Sequence, residues 1–154
     1  MSTTVPNKIE KQIELKAPLG RVWKAVTDAQ EFGAWFGVKL EGQFQAGKQI
    51  EGKLKSERYG DLTMKVTVKE ISPKTAFSFT WIPFGIDPEY DYSKEDPTLV
   101  KFTFETTPTG TLLRVTEEGF DHVPLVRRAK AFESNVQGWA IQMKQIEEYL
   151  KNAA

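Results

Sequence analysis

The sequence predicts an α+β domain in which a curved antiparallel sheet of six or seven strands wraps around a long C-terminal helix. Two periodicities indicate this fold class. Hydrophobic side chains alternate with polar ones almost throughout residues 36–118, and from residue 125 onward they recur every three or four residues. The first spacing is typical of strands with one buried face, and the second of an amphipathic helix. Because the chain contains no internal repeat and no long linker, residues 1–154 are expected to form one domain.

A strand and a short helical segment are predicted before the main run of strands. Ile9, Ile13 and Leu15 share one parity, on which only Lys11 is a misfit. Pro18 then begins a short helix, where its missing N–H costs nothing. The buried stripe of this segment consists of Val22, Trp23, Val26 and Ala29. The segment ends at Trp35 and Phe36.

Six strands are predicted between Phe36 and Glu118, joined by short turns. Turn residues separate the alternating runs at Gly42, Gly47, residues 59–61, 72–74 and 108–110. Strands with such short connections form an antiparallel meander. Since the opposite parity is rich in lysine, glutamate and threonine, one face of the sheet is wet and the other must be covered. The inward positions are Phe36, Val38, Leu40, Ile50, Leu54, Leu62, Met64, Val66, Val68, Phe77, Phe79, Trp81, Val100, Phe102, Phe104, Leu113 and Val115.

The C-terminal helix is predicted to supply that cover. About 27 residues at a rise of 1.5 Å make a rod of roughly 40 Å, long enough to cross a sheet. Gly138 is unusual, because glycine in a helix interior costs about 1 kcal/mol relative to alanine; a close approach of a neighbour to the backbone would explain it. The apolar stripe consists of Leu125, Ala129, Phe132, Val136, Trp139, Met143, Ile146 and Leu150.

A straight helix across a twisted, concave sheet touches the rims more readily than the centre, so a gap is expected between them. Large aromatic side chains bury on the order of 150–250 Å² each, and they either fill that gap or line a ligand pocket. The two alternatives stay open at this stage. The candidate lining residues are Trp35, Phe36, Phe79, Trp81, Phe102, Phe104, Phe132, Trp139 and Met143.

Glu117 is the polar exception on the inward parity, at the end of the last strand. It is either a rim carboxylate in water or a partly buried acid with a raised pKa. A buried carboxylate would orient a ligand hydroxyl or amine, or act as a general base.

Composition excludes several classes of function. The chain has no cysteine and one histidine, which excludes thiol catalysis, disulfides and the usual zinc, iron–sulfur and haem sites, and we expect no metal and no cofactor. With 21 basic and 21 acidic side chains there is no overall field to attract nucleic acid. No apolar run reaches the ~20 residues that span a bilayer, so membrane insertion is not expected. The N-terminus lacks the apolar stretch of a signal peptide, and a cytoplasmic location is expected.

No recognisable catalytic motif is present, and catalytic residues are therefore not assigned. His122, beside Asp121, is interpreted as a solvated loop histidine. No serine lies in a Gly-x-Ser-x-Gly elbow. The basic cluster Arg127, Arg128 and Lys130 either grips an anion or an acidic partner, or forms a solvated face.

An ordered set of motifs resembles the activator of heat-shock-protein ATPase homologue family. That family belongs to the START-like, SRPBCC, birch-pollen-allergen-like superfamily of helix-grip folds, and the resemblance covers the chain from Ile9 to Leu150. It implies a sheet around a C-terminal helix with a cavity between them. The sequence departs from it at Glu117, where the family often has a histidine. The motifs are Ala17-Pro18, Val22-Trp23, Ala25, Thr27, Trp35-Phe36, Phe79-Thr80-Trp81, the ladder Thr111, Leu113, Val115, Glu117, Gly119, and Gly138-Trp139.

The segment from Pro83 to Pro97 is longer than is usual in that family. Loops of this length are uncommon unless they are functional or disordered. One interpretation is a lid over the cavity, with Phe84, Tyr90 and Tyr92 folding inward over a ligand. The other is a solvated acidic insertion.

Three functions are consistent with these observations. The first is binding of a small, largely hydrophobic molecule in the cavity. The second, implied by the resemblance, is a co-chaperone-like interaction with a heat-shock ATPase. The third is an aromatase- or cyclase-like activity that uses Glu117, Tyr90 or Tyr92. The chain is expected to be a monomer or a homodimer.

Overall fold

The fold contains a seven-stranded antiparallel sheet, in which the last six strands form a meander and the first strand pairs with the last. The computed structural model describes residues 7–56, 60–83 and 89–152, with the backbone alone for residues 55, 56, 60 and 61. The sheet order is β1-β7-β6-β5-β4-β3-β2, which confirms the predicted meander. The strands are β1 (Lys8–Leu15), β2 (Val38–Leu40), β3 (Gln49–Ser56), β4 (Gly60–Ser72), β5 (Ala76–Trp81), β6 (Thr98–Thr107) and β7 (Gly110–Glu118).

Two short helices follow β1, α1 (Leu19–Thr27) and α2 (Ala29–Phe36). The Asp28 carboxylate caps α2 by accepting from the backbone N–H groups of Gln30 and Glu31, both at 3.0 Å. Gly33 lets α2 lie directly on β2, because a Cβ built there would be 2.2 Å from the Val38 carbonyl oxygen. This close contact sets the position of the aromatic side chains at the end of α2, Trp35 and Phe36.

The helix α3 (Leu125–Asn152) covers the concave face of the sheet, as predicted. Its backbone packs most closely against β1, α1 and α2. Buried residues follow the predicted stripe from Trp139 onward. The stripe is wrong in the first turns, where Leu125 is 80% exposed and Ala129 is also exposed, because Arg127 rather than an apolar residue faces the protein there.

The described residues do not make the expected close approach at Gly138. A Cβ built on this glycine meets no described atom within 4 Å, although the residue is half-buried. Its lack of a side chain therefore has no steric cause in the described part of the chain.

The core is centred on Phe32, which sequence reasoning did not single out. Its ring centroid lies 4.9 Å from those of Trp35 and Phe36 and 5.5 Å from that of Phe44. It also reaches the sheet, at 6.4–6.5 Å from Phe79 and Phe102. Edge-to-face contacts of this kind join α2 to the strands. Within the described ranges, no helix combines the length and apolar composition needed to cross a membrane.

Candidate functional site

Glu117 is the most deeply buried acidic side chain of the described residues, with no exposed surface. It lies on β7, opposite Ile9 of β1 and Val100 of β6, and continues the inward parity of that strand. The alternative of a rim carboxylate in water is therefore wrong. A carboxylate in this position must find hydrogen-bond donors inside the protein.

Four side chains supply those donors. The Trp139 indole N–H and the Asn135 amide donate to Oε1, at 2.8 and 2.9 Å. The Trp81 indole N–H and the Thr98 hydroxyl donate to Oε2, at 2.8 and 2.5 Å. The donors come from β5, the start of β6 and α3. Glu117 thus ties the helix to two strands of the sheet besides its own.

These four contacts match the acceptor capacity of an ionised carboxylate, which has about four lone-pair sites and no proton to donate. The donors are all neutral, so the carboxylate is held by dipoles. A general base needs a free lone pair directed at its substrate. With both oxygens of Glu117 engaged twice, the arrangement is suited to holding two indoles in place, and not to abstracting a proton.

Five of the predicted aromatic residues come together beside this carboxylate. The Trp81 and Trp139 rings stack with centroids 5.7 Å apart. The Phe36 ring contacts both, with its centroid 6.1 Å from that of Trp81 and 6.0 Å from that of Trp139. Phe102 lies 5.8 Å from Trp139, and Phe79 lies 5.4 Å from Trp81. The rings thus pack against one another across the space between α3 and the sheet.

Part of this apolar surface stays accessible on the side of β3 and β4. Phe36 and Trp81 are half-buried, as are Leu54 and Leu62, which pair across these strands. Leu54 also pairs with Val38, two residues after Phe36. These four half-buried side chains therefore lie on the inward face of the fold, near the end of α2 and the β3–β4 pair.

The other predicted lining residues lie elsewhere. Trp35 is buried between the short helices and donates to the Ala25 carbonyl oxygen at 2.9 Å. Phe104 packs edge-to-face on Trp23, with centroids 5.0 Å apart. Phe132 packs on Phe120, at 5.1 Å, and Met143 is buried under α3. No hydrogen bond joins any of these four residues to the Glu117 carboxylate.

An ion pair joins the predicted lid segment to the first turn of α3. The Arg127 guanidinium donates to both oxygens of Glu95 and, at 2.7 Å, to the Pro83 carbonyl oxygen. The side chains of Arg127 and Glu95 are 14% and 3% exposed. The interpretation of Arg127 as part of a solvated face is therefore wrong. Its guanidinium also lies 5.0 Å from the Tyr92 ring centroid, a cation–π contact.

These contacts shift the pKa values of two residues in this segment. Hydrogen bonds from Arg127 hold the pKa of the Glu95 carboxyl below its usual value, although burial acts in the opposite direction. The hydrogen bond between the Tyr90 hydroxyl and Glu95 raises the pKa of Tyr90. Tyr90 is 46% exposed and packs on Tyr92, with ring centroids 4.5 Å apart. Phe84 lies outside the described residues, and the role of this segment as a lid stays a prediction.

Sequence reasoning missed Thr98, Asn135, Arg127 and Glu95 as partners in these contacts. A signal for the first two was present. Thr98 lies two residues before inward-facing Val100, and Asn135 lies four before Trp139, so both are on inward faces. The Arg127–Glu95 pair has no periodic signal, because it joins a helix to an irregular segment 32 residues away.

Two surface pockets lie away from this site. One, of about 360 Å³, lies between α2 and the end of α3, and it is lined by Trp35 and Tyr149 among others. The other, of about 540 Å³, lies along the turn before β3. Within the ranges that the structure describes, no three acidic or histidine side chains come together as a metal ion would require.

Comparison with known proteins places the chain in a recognised family and fold. The profile of the family described as Activator of Hsp90 ATPase homolog 1-like protein matches residues 16–151. No curated protein matches the sequence.

Three solved structures illustrate the likeness. A protein from Mesorhizobium loti is 22% identical, with a TM-score of 0.74 over 96% of this chain and 98% of its own. A protein from Nitrosomonas europaea is 17% identical, with a TM-score of 0.74 over 96% of each chain. The Aha1 dimer from Colwellia psychrerythraea is 16% identical, with a TM-score of 0.69 over 94% of this chain and 96% of its own. These likenesses show the shared fold.

Proposed function

The chain belongs to the family of Activator of Hsp90 ATPase homolog 1-like proteins, and we propose that this member binds a small, largely hydrophobic molecule in the gap between α3 and strands β3–β5. One observation carries the proposal: Phe36, Leu54, Leu62 and Trp81 stay only half-buried, although they lie on the inward face. Concave apolar surfaces with a few fixed polar groups are typical of small-molecule sites.

The size of the apolar contact sets the upper limit of the expected affinity. Apolar area removed from water contributes roughly 25 cal/mol per Å², so about 300 Å² of protein and ligand surface contributes about 7 kcal/mol before the costs of association. Without any cost of association this free energy corresponds to a Kd of about 10 μM, and the cost of association moves the Kd to the millimolar range or weaker. The Glu117 contacts support this function by holding the Trp81 and Trp139 rings as a fixed wall of the gap.

The segment 89–97 is proposed to act as the lid of this site. The Arg127–Glu95 pair attaches the segment to α3, eight residues before Asn135. Releasing this pair would free the segment from α3 and widen access from that end. Hydrogen exchange with and without a bound molecule tests the lid. Increased protection across residues 89–97 on binding supports it, and unchanged protection contradicts it.

Tryptophan indole N–H signals in ¹H–¹⁵N spectra provide a direct test of the binding site. The chain has four tryptophans in different surroundings. Trp81 and Trp139 donate to Glu117, Trp35 donates to Ala25, and Trp23 packs on Phe104 under α1. Titration with a library of neutral aromatic and aliphatic molecules is expected to shift the Trp81 and Trp139 signals and leave that of Trp23 unchanged. Absence of any binder, or shifts confined to Trp23, would overturn the proposal.

A second candidate function is stimulation of a heat-shock ATPase. The family description supports it, as does the exposure of Leu125 and Val126, at 80% and 93%, side by side at the start of α3. Adjacent exposed apolar residues are a common feature of interaction sites. The test measures ATPase turnover with the native chain and with Leu125→Ser/Val126→Ser. Ile141→Ser, at a 59% exposed position further along α3, is the control. If the native chain does not raise the turnover of the ATPase, this function is contradicted.

The oligomeric state is a separate proposal. The dimeric neighbour from Colwellia psychrerythraea supports a homodimer. Sedimentation velocity across a concentration range would detect it, and a monomer at every concentration would contradict it.

A further inference from the structure

No steric contact of the described residues requires glycine at position 138. It lies in the middle of α3, where glycine weakens a helix relative to alanine. It is half-buried, yet a Cβ built on it meets no described atom within 4 Å. Among the described residues, the space beside Gly138 is therefore open.

Gln142, one turn further along α3, carries an unused acceptor. Its Nε2 donates to the Phe36 carbonyl oxygen at 3.0 Å, which fixes the amide orientation, since a flipped amide would oppose two oxygens. Its Oε1 is buried and meets no donor in the described part of the chain. A buried acceptor without a partner is costly and uncommon in native proteins.

Asn135, Gly138 and Gln142 form one stripe, at positions i, i+3 and i+7 of α3. Asn135 donates to Glu117, which also holds Trp81, and Gln142 donates to the backbone of Phe36. Gly138 therefore lies between the two anchored residues, on the flank of α3 that faces the half-buried Phe36 and Trp81. The open space beside Gly138 and the unpaired acceptor of Gln142 therefore lie one helical turn apart on the same flank of α3.

We propose that this stripe, Asn135–Gly138–Gln142, is the part of α3 that contacts the ligand, and that the ligand is a neutral molecule with an apolar body and a hydroxyl or N–H donor. The inference rests on the binding function proposed above. The apolar body lies beside Gly138, and the donor pairs with Gln142 Oε1 when the ligand displaces the side chains that cover this buried oxygen. Neutrality follows because the acceptor is uncharged and buried, where an unpaired charge is strongly disfavoured. Glu117 acts as a positioning residue, since its oxygens are already engaged.

A pair of naphthalene probes tests both features. 2-Naphthol carries a donor, and 2-methoxynaphthalene has the same ring system without one. Fluorescence anisotropy is expected to show about fivefold tighter binding of 2-naphthol, the size of one neutral hydrogen bond to a buried acceptor. In Gln142→Met this preference is expected to disappear. Equal affinities of the two probes for the native chain would overturn the role of Gln142.

Filling the space tests Gly138. We expect Gly138→Leu to weaken both probes more than tenfold, whereas Gln137→Leu, the same side chain at the exposed neighbouring position, leaves both unchanged. Gly138→Ala reports on folding, with an expected rise in Tm of about 2–4 °C. If Gly138→Leu binds both probes like the native chain, the stripe is not the contact, even where the indole signals support binding in the gap. If the native chain binds neither probe, this inference is overturned, whatever the library titration finds.

Discussion

Replacing Glu117 with glutamine changes one atom of the buried carboxylate and removes its charge. The new amide nitrogen occupies the place of one oxygen. At Oε1 it faces the donors of Trp139 and Asn135, and at Oε2 those of Trp81 and Thr98. An indole N–H is a donor only, so in either orientation one indole loses its acceptor.

The expected loss of unfolding free energy is about 2–4 kcal/mol. A buried donor without an acceptor costs about 1–3 kcal/mol. The remaining bonds also weaken, because hydrogen bonds to a charged group contribute about 1.5–3 kcal/mol each and those to a neutral one about 0.5–1.5. Part of this loss is offset because glutamine does not bury a charge.

Urea denaturation followed by tryptophan fluorescence measures this change. With an m value of about 2 kcal/mol per M, the midpoint is expected to fall by about 1–2 M. Glu118→Gln is the matched control, since Glu118 is the next residue of β7 and is exposed; we expect a change within about 0.5 kcal/mol.

A loss for Glu117→Gln no larger than that for Glu118→Gln would refute the reasoning, and so would a gain in stability. Either result would mean that the four donors do not depend on the carboxylate charge. One indole N–H signal should also move towards the position of an unbonded indole. Unchanged signals of both Trp81 and Trp139 would contradict the orphaned donor.

Three further predictions follow from particular contacts. Gly33→Ala should destabilise the chain by about 1–3 kcal/mol in urea denaturation, because its Cβ would overlap the Val38 carbonyl oxygen, whereas Gly20→Ala at an exposed helical position should not; equal effects would contradict the overlap. The folded-state pKa of Glu95 is lowered, so its contribution to stability is present above the usual carboxyl pKa of about 4.3 and lost as pH falls through the lowered value. Glu95→Gln should therefore flatten the dependence of unfolding free energy on pH between about 5 and 3, and an unchanged slope would count against the ion pair. Asp28→Ala should cost about 1 kcal/mol through the lost cap of α2, measured as a lower urea midpoint, and an unchanged midpoint would show that the cap contributes little.

The strands and the long helix were predictable because their signals are local and repeated. Alternation along β7 placed Glu117 on the inward face, and the spacing along α3 placed Trp139 there as well. What surrounds Glu117 was not predictable in the same way. Thr98 and Asn135 have inward positions, but only the packing of α3 on the sheet brings their donors to one carboxylate.

The first turns of α3 show why periodicity can fail at the end of an element. The stripe predicts Leu125 and Ala129 to be buried, yet both are exposed. Arg127 faces inward instead, because Glu95 and the Pro83 carbonyl oxygen lie against that turn. A spacing rule describes one side of a helix and contains no information about which segment packs on it.

The sequence by itself determined the class of fold, the meander, the length of the covering helix and the side of the sheet on which the aromatic residues lie, since each follows from the period of hydrophobic residues along the chain. Only the tertiary structure decided that Glu117 is fully engaged and that, among the described residues, Gly138 has no close neighbour and Gln142 keeps an unpaired oxygen. These features depend on distances of a few ångströms between residues far apart in sequence. Hydrogen bonding and packing are short-ranged, and the relative placement of whole elements sets those distances.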